Sequence, residues 1–163
     1  MTQTTTTPAI QTLLALDFGI KKTGMALGNT LTNNAQPFGN LAMNNGQPDW
    51  DNLLGIIQSW QIAVIVIGLP LNMDGTDSML SKRAAKFARR LAHKLTEYRL
   101  KTEVFLSDER LTSREARQLA FELGLIGSHK DPIDAISACL ILRAYFEGNA
   151  IAIPGYQPNQ ASQ

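Results

Sequence analysis

The segment IAVIVIGLP, residues 62–70, constrains the fold more than any other part of the chain. Its β-branched residues follow one another without a polar interruption, and Gly68 and Pro70 end the run. A continuous apolar run of this kind is typical of a strand in the middle of a sheet that is covered on both faces. We therefore predict a central sheet that contains this segment and is flanked by helices.

The segments on either side predict how this sheet is completed. LLALD and GMALGN form a hairpin, and one more edge strand is expected around Phe38–Ala42. Apolar residues recur at helical spacing in PDWDNLLGIIQSW, in residues 77–97 and in the segment that follows Pro132, and TEVFLSD is a further strand. Strands come first and then alternate with helices, which predicts an α/β domain with a mixed sheet.

The length of 163 residues suits one domain with a proper core. We expect this domain to span residues 12–149. The threonine-rich residues 1–11 and the polar residues 150–163 are expected to be flexible tails. Two tryptophans in PDWDNLLGIIQSW suit either a core or an interface, so the pattern is compatible with a monomer or a homodimer.

Composition excludes several classes of protein. No apolar stretch approaches the roughly 20 residues of a membrane span, so no membrane association is expected. The single cysteine, Cys139, lies on an apolar helix face and is expected in the core, which favours a cytoplasmic location. The net charge is +1, yet eight of the 15 basic residues fall within residues 82–101. That segment is either a solvated helix face or a track for phosphates.

Acidic residues stand at the ends of three separate elements. Asp17 ends the first strand, Asp108 and Glu109 end TEVFLSDER, and Asp134 lies in the first turn of the last helix. In α/β sheets, functional groups gather where strands finish and helices start. Carboxylates that converge there are the oxygen ligands that Mg²⁺ or Mn²⁺ prefers, and one or two such ions could promote hydrolysis of a phosphodiester.

Each of these acidic residues also has a purely structural explanation. Asp17 could begin a turn, Asp108 could cap a helix, and Glu109 could form an ion pair with Arg110 or Arg114. Asp134 could simply complement the positive end of the helix dipole. Only the coincidence of all three positions favours a metal site.

Two loops offer contacts for phosphate. GLPLNMDGT, residues 68–76, leaves the central strand and enters the basic helix, and Asn72, Asp74 and Thr76 provide its polar groups. Exposed amides before a helix could hold a nucleic-acid phosphate, although an ordinary structured turn would look the same. Lys21 and Lys22 follow Asp17 closely, and they could hold a phosphate or offset the charge of Asp17.

Four segments together resemble one known family. LALDFGIKKTGMALG, VIGLPLNMDGT, DERLTSREA and IDAISACLILRAYFE occur in the order and at the distances found in YqgF-family proteins, which are also called RuvX-type pre-16S rRNA nucleases or Holliday-junction-resolvase homologues. The resemblance covers about residues 12–149. It implies an RNase H-like fold and a metal-dependent endonuclease for 16S rRNA 5′-end maturation or for branched DNA.

The resemblance also assigns roles to residues. It implies Asp17, Glu109 and Asp134 as catalytic acidic residues, with Asp108 as a further candidate metal ligand beside Glu109. Lys22 stands where many relatives have arginine and keeps a phosphate-contact role. We expect Arg110, Arg114 and Lys130 to neutralise the phosphate. Classical resolvases have a closer acidic pair at the start of the last helix, where this chain offers Asp134.

Two other classes of function remain open at this point. An ATP-binding lobe of the actin type also places Asp-x-Gly between two strands, but such proteins need two lobes. A non-catalytic nucleic-acid-binding factor would depend on the basic helix rather than on the carboxylates.

Overall fold

The computed structural model describes residues 9–109 and 133–148, together with residues 118 and 122. Six strands and three long helices lie in these parts of the chain. They are β1 (Thr12–Asp17), β2 (Lys22–Asn29), β3 (Ala35–Asn44), β4 (Gln47–Pro48), α1 (Trp50–Ser59), β5 (Ile62–Leu69), α2 (Met79–Glu97), β6 (Glu103–Asp108) and α3 (Ile133–Phe146).

The strands form one mixed sheet in the order β4-β3-β2-β1-β5-β6. β1 pairs antiparallel with β2, where Asp17 lies opposite Gly24, and parallel with β5, where Leu16 lies opposite Ile67. β5 also pairs parallel with β6. The carboxyl ends of β1, β5 and β6 therefore meet at the same edge of the sheet.

Alternation along the strands divides the core into two layers. Leu14 and Leu16 of β1 point into the layer beneath α1 and α2, whereas Leu13 and Ala15 point into the layer beneath α3. β5 supplies Ile65 and Ile67 to the first layer and Val64 and Val66 to the second. This burial on both faces explains why the run at residues 62–69 is continuously apolar, as the sequence predicts.

Helix α3 is enclosed around its whole circumference. Its residues 135–142 are all buried, and it packs mainly across β1, β2 and β3. A helix that is apolar on every side is stable only when it is surrounded by other parts of the protein. Cys139 lies on this helix, is fully buried and is a free thiol, which confirms its predicted place in the core.

Side chains that precede α1 and α2 fix where these helices begin. The Asp49 carboxylate accepts hydrogen bonds from the backbone N–H groups of Asp51 and Asn52 at 3.1 and 3.3 Å. Ser78 and Ser81 form a reciprocal capping box, in which each hydroxyl accepts from the backbone N–H of the other residue. Helix α2 consequently begins at Met79, two residues after the start predicted from periodicity.

Most of the predicted elements are confirmed, including the hairpin and the central strand. The strand expected around Phe38–Ala42 is present as β3 and is longer than predicted. It is not the edge strand, because the two-residue strand β4, which the sequence does not predict, pairs with its last two residues. Residues 1–8 and 149–163 lie outside the described residues, so the flexibility of the two tails stays a prediction. In the part of the chain that the structure describes, none of the helices combines the length and apolar character that crossing a bilayer requires.

Candidate functional site

Asp17 lies at the edge of the sheet where the parallel strands end. It is half-buried, and it follows Leu13 and Ala15 on the face covered by α3. Its partner on β2 is Gly24. On its other side, β1 and β5 pair as far as Leu16 and Ile67, and the next residues along these two strands are Asp17 and Gly68. Asp17 therefore has a glycine on the neighbouring strand on each side.

Gly24 allows the start of α3 to lie directly against β2. A β-carbon at this position would collide with the backbone carbonyl group of Asp134 and with the nitrogen of Ala135. Only glycine leaves enough space for this approach. The contact brings the first turn of α3, and with it Asp134, next to the strand position that pairs with Asp17.

Gly68 likewise leaves space for a close approach, in this case by the side chain of Glu109. A β-carbon at Gly68 would collide with the Oε1 atom of the Glu109 carboxylate and with the side chain of Ile141. Gly68 follows Val64 and Val66 on the α3 face of β5, so the Glu109 carboxylate lies on the same face as Asp17. Glu109 itself follows the end of β6.

Asp108 is placed differently from Glu109. It is the last residue of β6, where it lies opposite Leu69. Val104 and Leu106 of the same strand point into the layer beneath α1 and α2, so alternation places Asp108 on that face. Of the two neighbouring carboxylates, Glu109 is therefore the one that shares a face with Asp17.

Asp17, Glu109 and Asp134 are thus brought to one edge and one face of the sheet. In the part of the chain that the structure describes, however, no group of three or more Asp, Glu, His or Cys side chains is arranged to hold a metal ion. The donor types fit Mg²⁺ or Mn²⁺, because carboxylates from separate elements are the oxygen ligands that these ions prefer. The structure therefore supplies the donor chemistry and the common location, without a completed coordination group.

Lys22 contacts the same region from β2. Its Nζ atom lies 3.4 Å from Oδ2 of Asp134, and both side chains are substantially exposed. The lysine therefore offsets the charge of Asp134, whereas the sequence suggested that it could offset Asp17. Lys21 is exposed one residue earlier, in the turn between β1 and β2.

The loop between β5 and α2 uses its polar groups internally. The Asp74 carboxylate accepts hydrogen bonds from the backbone N–H and the hydroxyl of Thr76 at 3.0 and 2.6 Å. The side-chain amide of Asn72 donates to the Thr76 hydroxyl and to the carbonyl of Asp77, both at 3.1 Å. These three side chains build the loop, and their contact with phosphate stays a prediction. Arg110, Arg114 and Lys130 lie outside the described residues.

Sequence reasoning missed the contribution of Gly24, Gly68 and Thr23. The sequence pattern makes Gly68 a strand terminator and assigns Gly24 no role, but both glycines lie inside strands. An isolated glycine within a strand pattern was the available signal, because it often marks a close approach of another group. Thr23 is fully buried, and its hydroxyl accepts a hydrogen bond from the N–H of Gly19 at 3.3 Å, which fixes the turn after Asp17.

Relatives of known sequence cover most of the chain. Residues 11–148 match the sequence model of the family described as "RuvX: Holliday junction resolvase". A protein of Psychrobacter sp. (strain PRwf-1) named "Putative pre-16S rRNA nuclease" is 66% identical over 139 residues, which are 85% of this chain and 78% of the relative. A protein of the same name from Saccharophagus degradans (strain 2-40) is 43% identical over 137 residues, which are 83% of this chain and 93% of that one.

Solved structures of RuvC from Thermus thermophilus share the fold. The first has a TM-score of 0.53 and 11% identity, and covers 86% of this chain and 99% of its own. The second, RuvC in complex with a Holliday junction substrate, has a TM-score of 0.54 and 13% identity, and covers 86% of this chain and 98% of its own. At such low identity the likeness concerns the fold, and it confirms the predicted RNase H-like domain.

Proposed function

The chain belongs to the RuvX family, as its four sequence segments predict, and on this premise we propose that it is a divalent-metal-dependent endonuclease that hydrolyses phosphodiester bonds. We propose a precursor of 16S rRNA as the substrate, because relatives 43% and 66% identical carry that substrate in their names. We propose a cytoplasmic location, because the single cysteine is a buried free thiol and a reducing compartment suits a chain without disulfides.

The observation that carries this proposal is the position of Asp17 between two glycines on neighbouring strands. Glu109 lies over one glycine, and the first turn of α3 lies over the other. These two close approaches, made by elements far apart in sequence, support a site in which Glu109 and Asp134 act together with Asp17. At Gly24 the approaching group is the backbone of Asp134, whereas at Gly68 it is the Glu109 carboxylate itself, and this second contact is the one that packing of α3 on the sheet does not explain.

We propose that Asp17, Glu109 and Asp134 hold the cation and that Asp108 does not. A bound divalent cation would neutralise charge that develops on the phosphate during hydrolysis. The chain's own groups would orient the substrate. Lys21 and Lys22 would contact phosphate oxygens beside the acidic residues, and Lys22 already lies within ion-pair distance of Asp134.

The remaining predicted contacts complete the proposed binding surface. Asn72, Asp74 and Thr76 hold the loop after β5 in one conformation, which fixes the backbone that a flanking phosphate would meet. Arg110, Arg114 and Lys130 would neutralise phosphate from the segment that precedes α3.

Cleavage by an Asp17→Asn variant tests the function. Since the substitution removes a charge without changing the shape of the side chain, we expect at least a 100-fold loss of rate with Mg²⁺ or Mn²⁺, or about 2.7 kcal/mol of transition-state stabilisation. The matched control is Asp51→Asn, at an exposed aspartate in the first turn of α1. Cleavage by Asp17→Asn at the wild-type rate would contradict the proposal.

Branched DNA is the second candidate substrate, because the description of the matching family names a Holliday junction resolvase. A four-way DNA junction and a 16S rRNA precursor, offered to the same preparation, separate the two candidates by relative kcat/KM. A non-catalytic binding factor would cleave neither substrate, and Asp17→Asn would then leave its biological activity unchanged.

A further inference from the structure

A basic groove lies on the side of the sheet opposite to Asp17. It has a volume of about 700 Å³ and runs between helix α2 and the start of α1. Trp50 and Gln47 form one side of it, and Lys86, Arg89, Arg90 and Lys94 line the other. Nothing in the candidate cleavage site accounts for these cations, because α2 and α3 cover opposite faces of the sheet.

The cations of this groove are held close together with little compensation. Lys86, Arg89 and Arg90 are exposed, and within residues 9–109 and 133–148 they form no ion pair. They recur at intervals of three and four residues, which places them side by side on one helix face. Like charges at these intervals repel one another and destabilise the helix. A bound polyanion would remove this repulsion.

Trp50 gives the groove a fixed wall. Its ring stacks on Phe87 with centroids 5.7 Å apart, and Nζ of Lys94 lies 5.8 Å from the centre of the Trp50 ring. The cation–π contact restrains a side chain that would otherwise move freely in solvent. The ammonium group of Lys94 is thereby kept beside the groove.

The dimensions of the groove suit a nucleic-acid strand. Helix α2 begins beside the loop after β5, near the acidic edge, and Lys86 to Lys94 lie about 10 to 22 Å along its axis from Met79. Those residues span about 12 Å, which is the axial length of three or four nucleotides in a duplex at a rise of roughly 3.4 Å per nucleotide.

We propose that this groove is an anchoring site for the sugar-phosphate backbone of the substrate nucleic acid, outside the cleavage site. The inference rests on the proposed function, because it assumes a nucleic-acid substrate. Lysine and arginine side chains on one helix face contact phosphates without reading bases, so binding there is insensitive to sequence and sensitive to salt.

Two triple variants of equal charge test the anchoring site. The groove variant combines Lys86→Gln, Arg89→Gln and Arg90→Gln. The control variant combines Lys82→Gln, Arg99→Gln and Lys101→Gln, which are exposed cations outside the groove. Both are made in the Asp17→Asn chain, and fluorescence anisotropy gives the affinity for labelled single-stranded RNA and duplex DNA at several salt concentrations.

We expect the groove variant to lose affinity at least tenfold and its salt slope to fall by about 2 to 3, whereas the control changes less than threefold. A variant with Arg89→Lys and Arg90→Lys keeps the charge and should retain at least a third of the affinity. Equal losses in the two triple variants, or no loss in the groove variant, would overturn the inference. Cleavage by Asp17→Asn alone would refute the proposed nuclease site without altering this comparison.

Discussion

The carboxylate of Glu109 occupies the space beside Gly68 that a β-carbon would need, on the face of the sheet that also carries Asp17. Since Gly68 lies inside β5, the absence of a side chain there cannot be explained by a turn. The glycine instead leaves room for an acidic side chain from the end of β6 and for Ile141 from α3. Position 68 therefore links sheet packing to the placement of a candidate ligand.

Replacing Gly68 with alanine should disturb both packing and cleavage. The added methyl group must displace Glu109 and Ile141, and overpacking of this kind costs about 1 to 3 kcal/mol of unfolding free energy. Gly55→Ala is the matched control, because that glycine lies within α1 and nothing is near its missing β-carbon. It should gain about 0.5 to 1 kcal/mol, as alanine favours helices. Urea denaturation gives the unfolding free energy of both variants. Equal stability of the two variants would argue against the contact at Gly68.

Glu109 and Asp108 should respond differently to neutralisation. Glu109→Gln removes a charge from the face that carries Asp17, so we expect cleavage to fall by about 100-fold or more. Asp108→Asn alters the opposite face and should stay within about fivefold of wild type. Steady-state kinetics with Mn²⁺ gives both values. Greater loss in Asp108→Asn than in Glu109→Gln would reverse the assignment.

Replacing Lys22 should weaken substrate binding and leave the stability of the fold almost unchanged. Its ion pair with Asp134 is exposed, and such pairs contribute between 0 and about 1 kcal/mol. Lys22→Gln should therefore unfold almost as wild type does in urea while KM for nucleic acid rises several-fold. Lys22→Arg keeps the charge and should restore KM. A stability loss well above 1 kcal/mol with unchanged KM would show that the lysine serves only the fold.

Tyr145 should make the fold sensitive to alkaline pH. Burial raises the pKa of its phenol above 10.0, and the nearby Glu103 carboxylate raises that pKa further. Below pH 10 the phenol is neutral in both folded and unfolded chains, so it adds no pH dependence. As the pH rises past 10, the unfolded chain releases the proton first, and stability falls. Tyr145→Phe should lose less stability than wild type between about pH 8 and about pH 11, measured by urea denaturation. The same dependence of unfolding free energy on pH in the two proteins would contradict this prediction.

Local patterns were sufficient to predict most of the fold. The apolar run at residues 62–69 predicted a strand buried on both faces, and the helical spacing of apolar residues predicted α1, α2 and α3. The first strand was expected to end at Asp17 and the last helix to begin just before Asp134. These features depend on neighbouring residues, so they can be inferred from the sequence alone.

Contacts between distant segments could not be inferred in the same way. The family resemblance favours Glu109 but keeps Asp108 as a further candidate ligand, because only the pairing of β6 with β5 determines which carboxylate shares a face with Asp17. The sequence also does not show why positions 24 and 68 require glycine, since the groups that approach them come from α3 and from the residue after β6. The internal hydrogen bonds of Asn72, Asp74 and Thr76 likewise depend on the folded shape of one loop.

The parallel pairing of β1 with β5 has a consequence for synthesis on the ribosome. Residues 13–16 can pair with β2 early, but they find their parallel partners only after residues 64–67 have been made. The layer of Leu13, Ala15, Val64 and Val66 stays uncovered until residues 133–146 have been made. A growing chain that lacks α3 would therefore expose an apolar sheet surface, which invites aggregation. The same missing helix carries Asp134, so under the proposed set of ligands a chain at risk of aggregating is also one without nuclease activity.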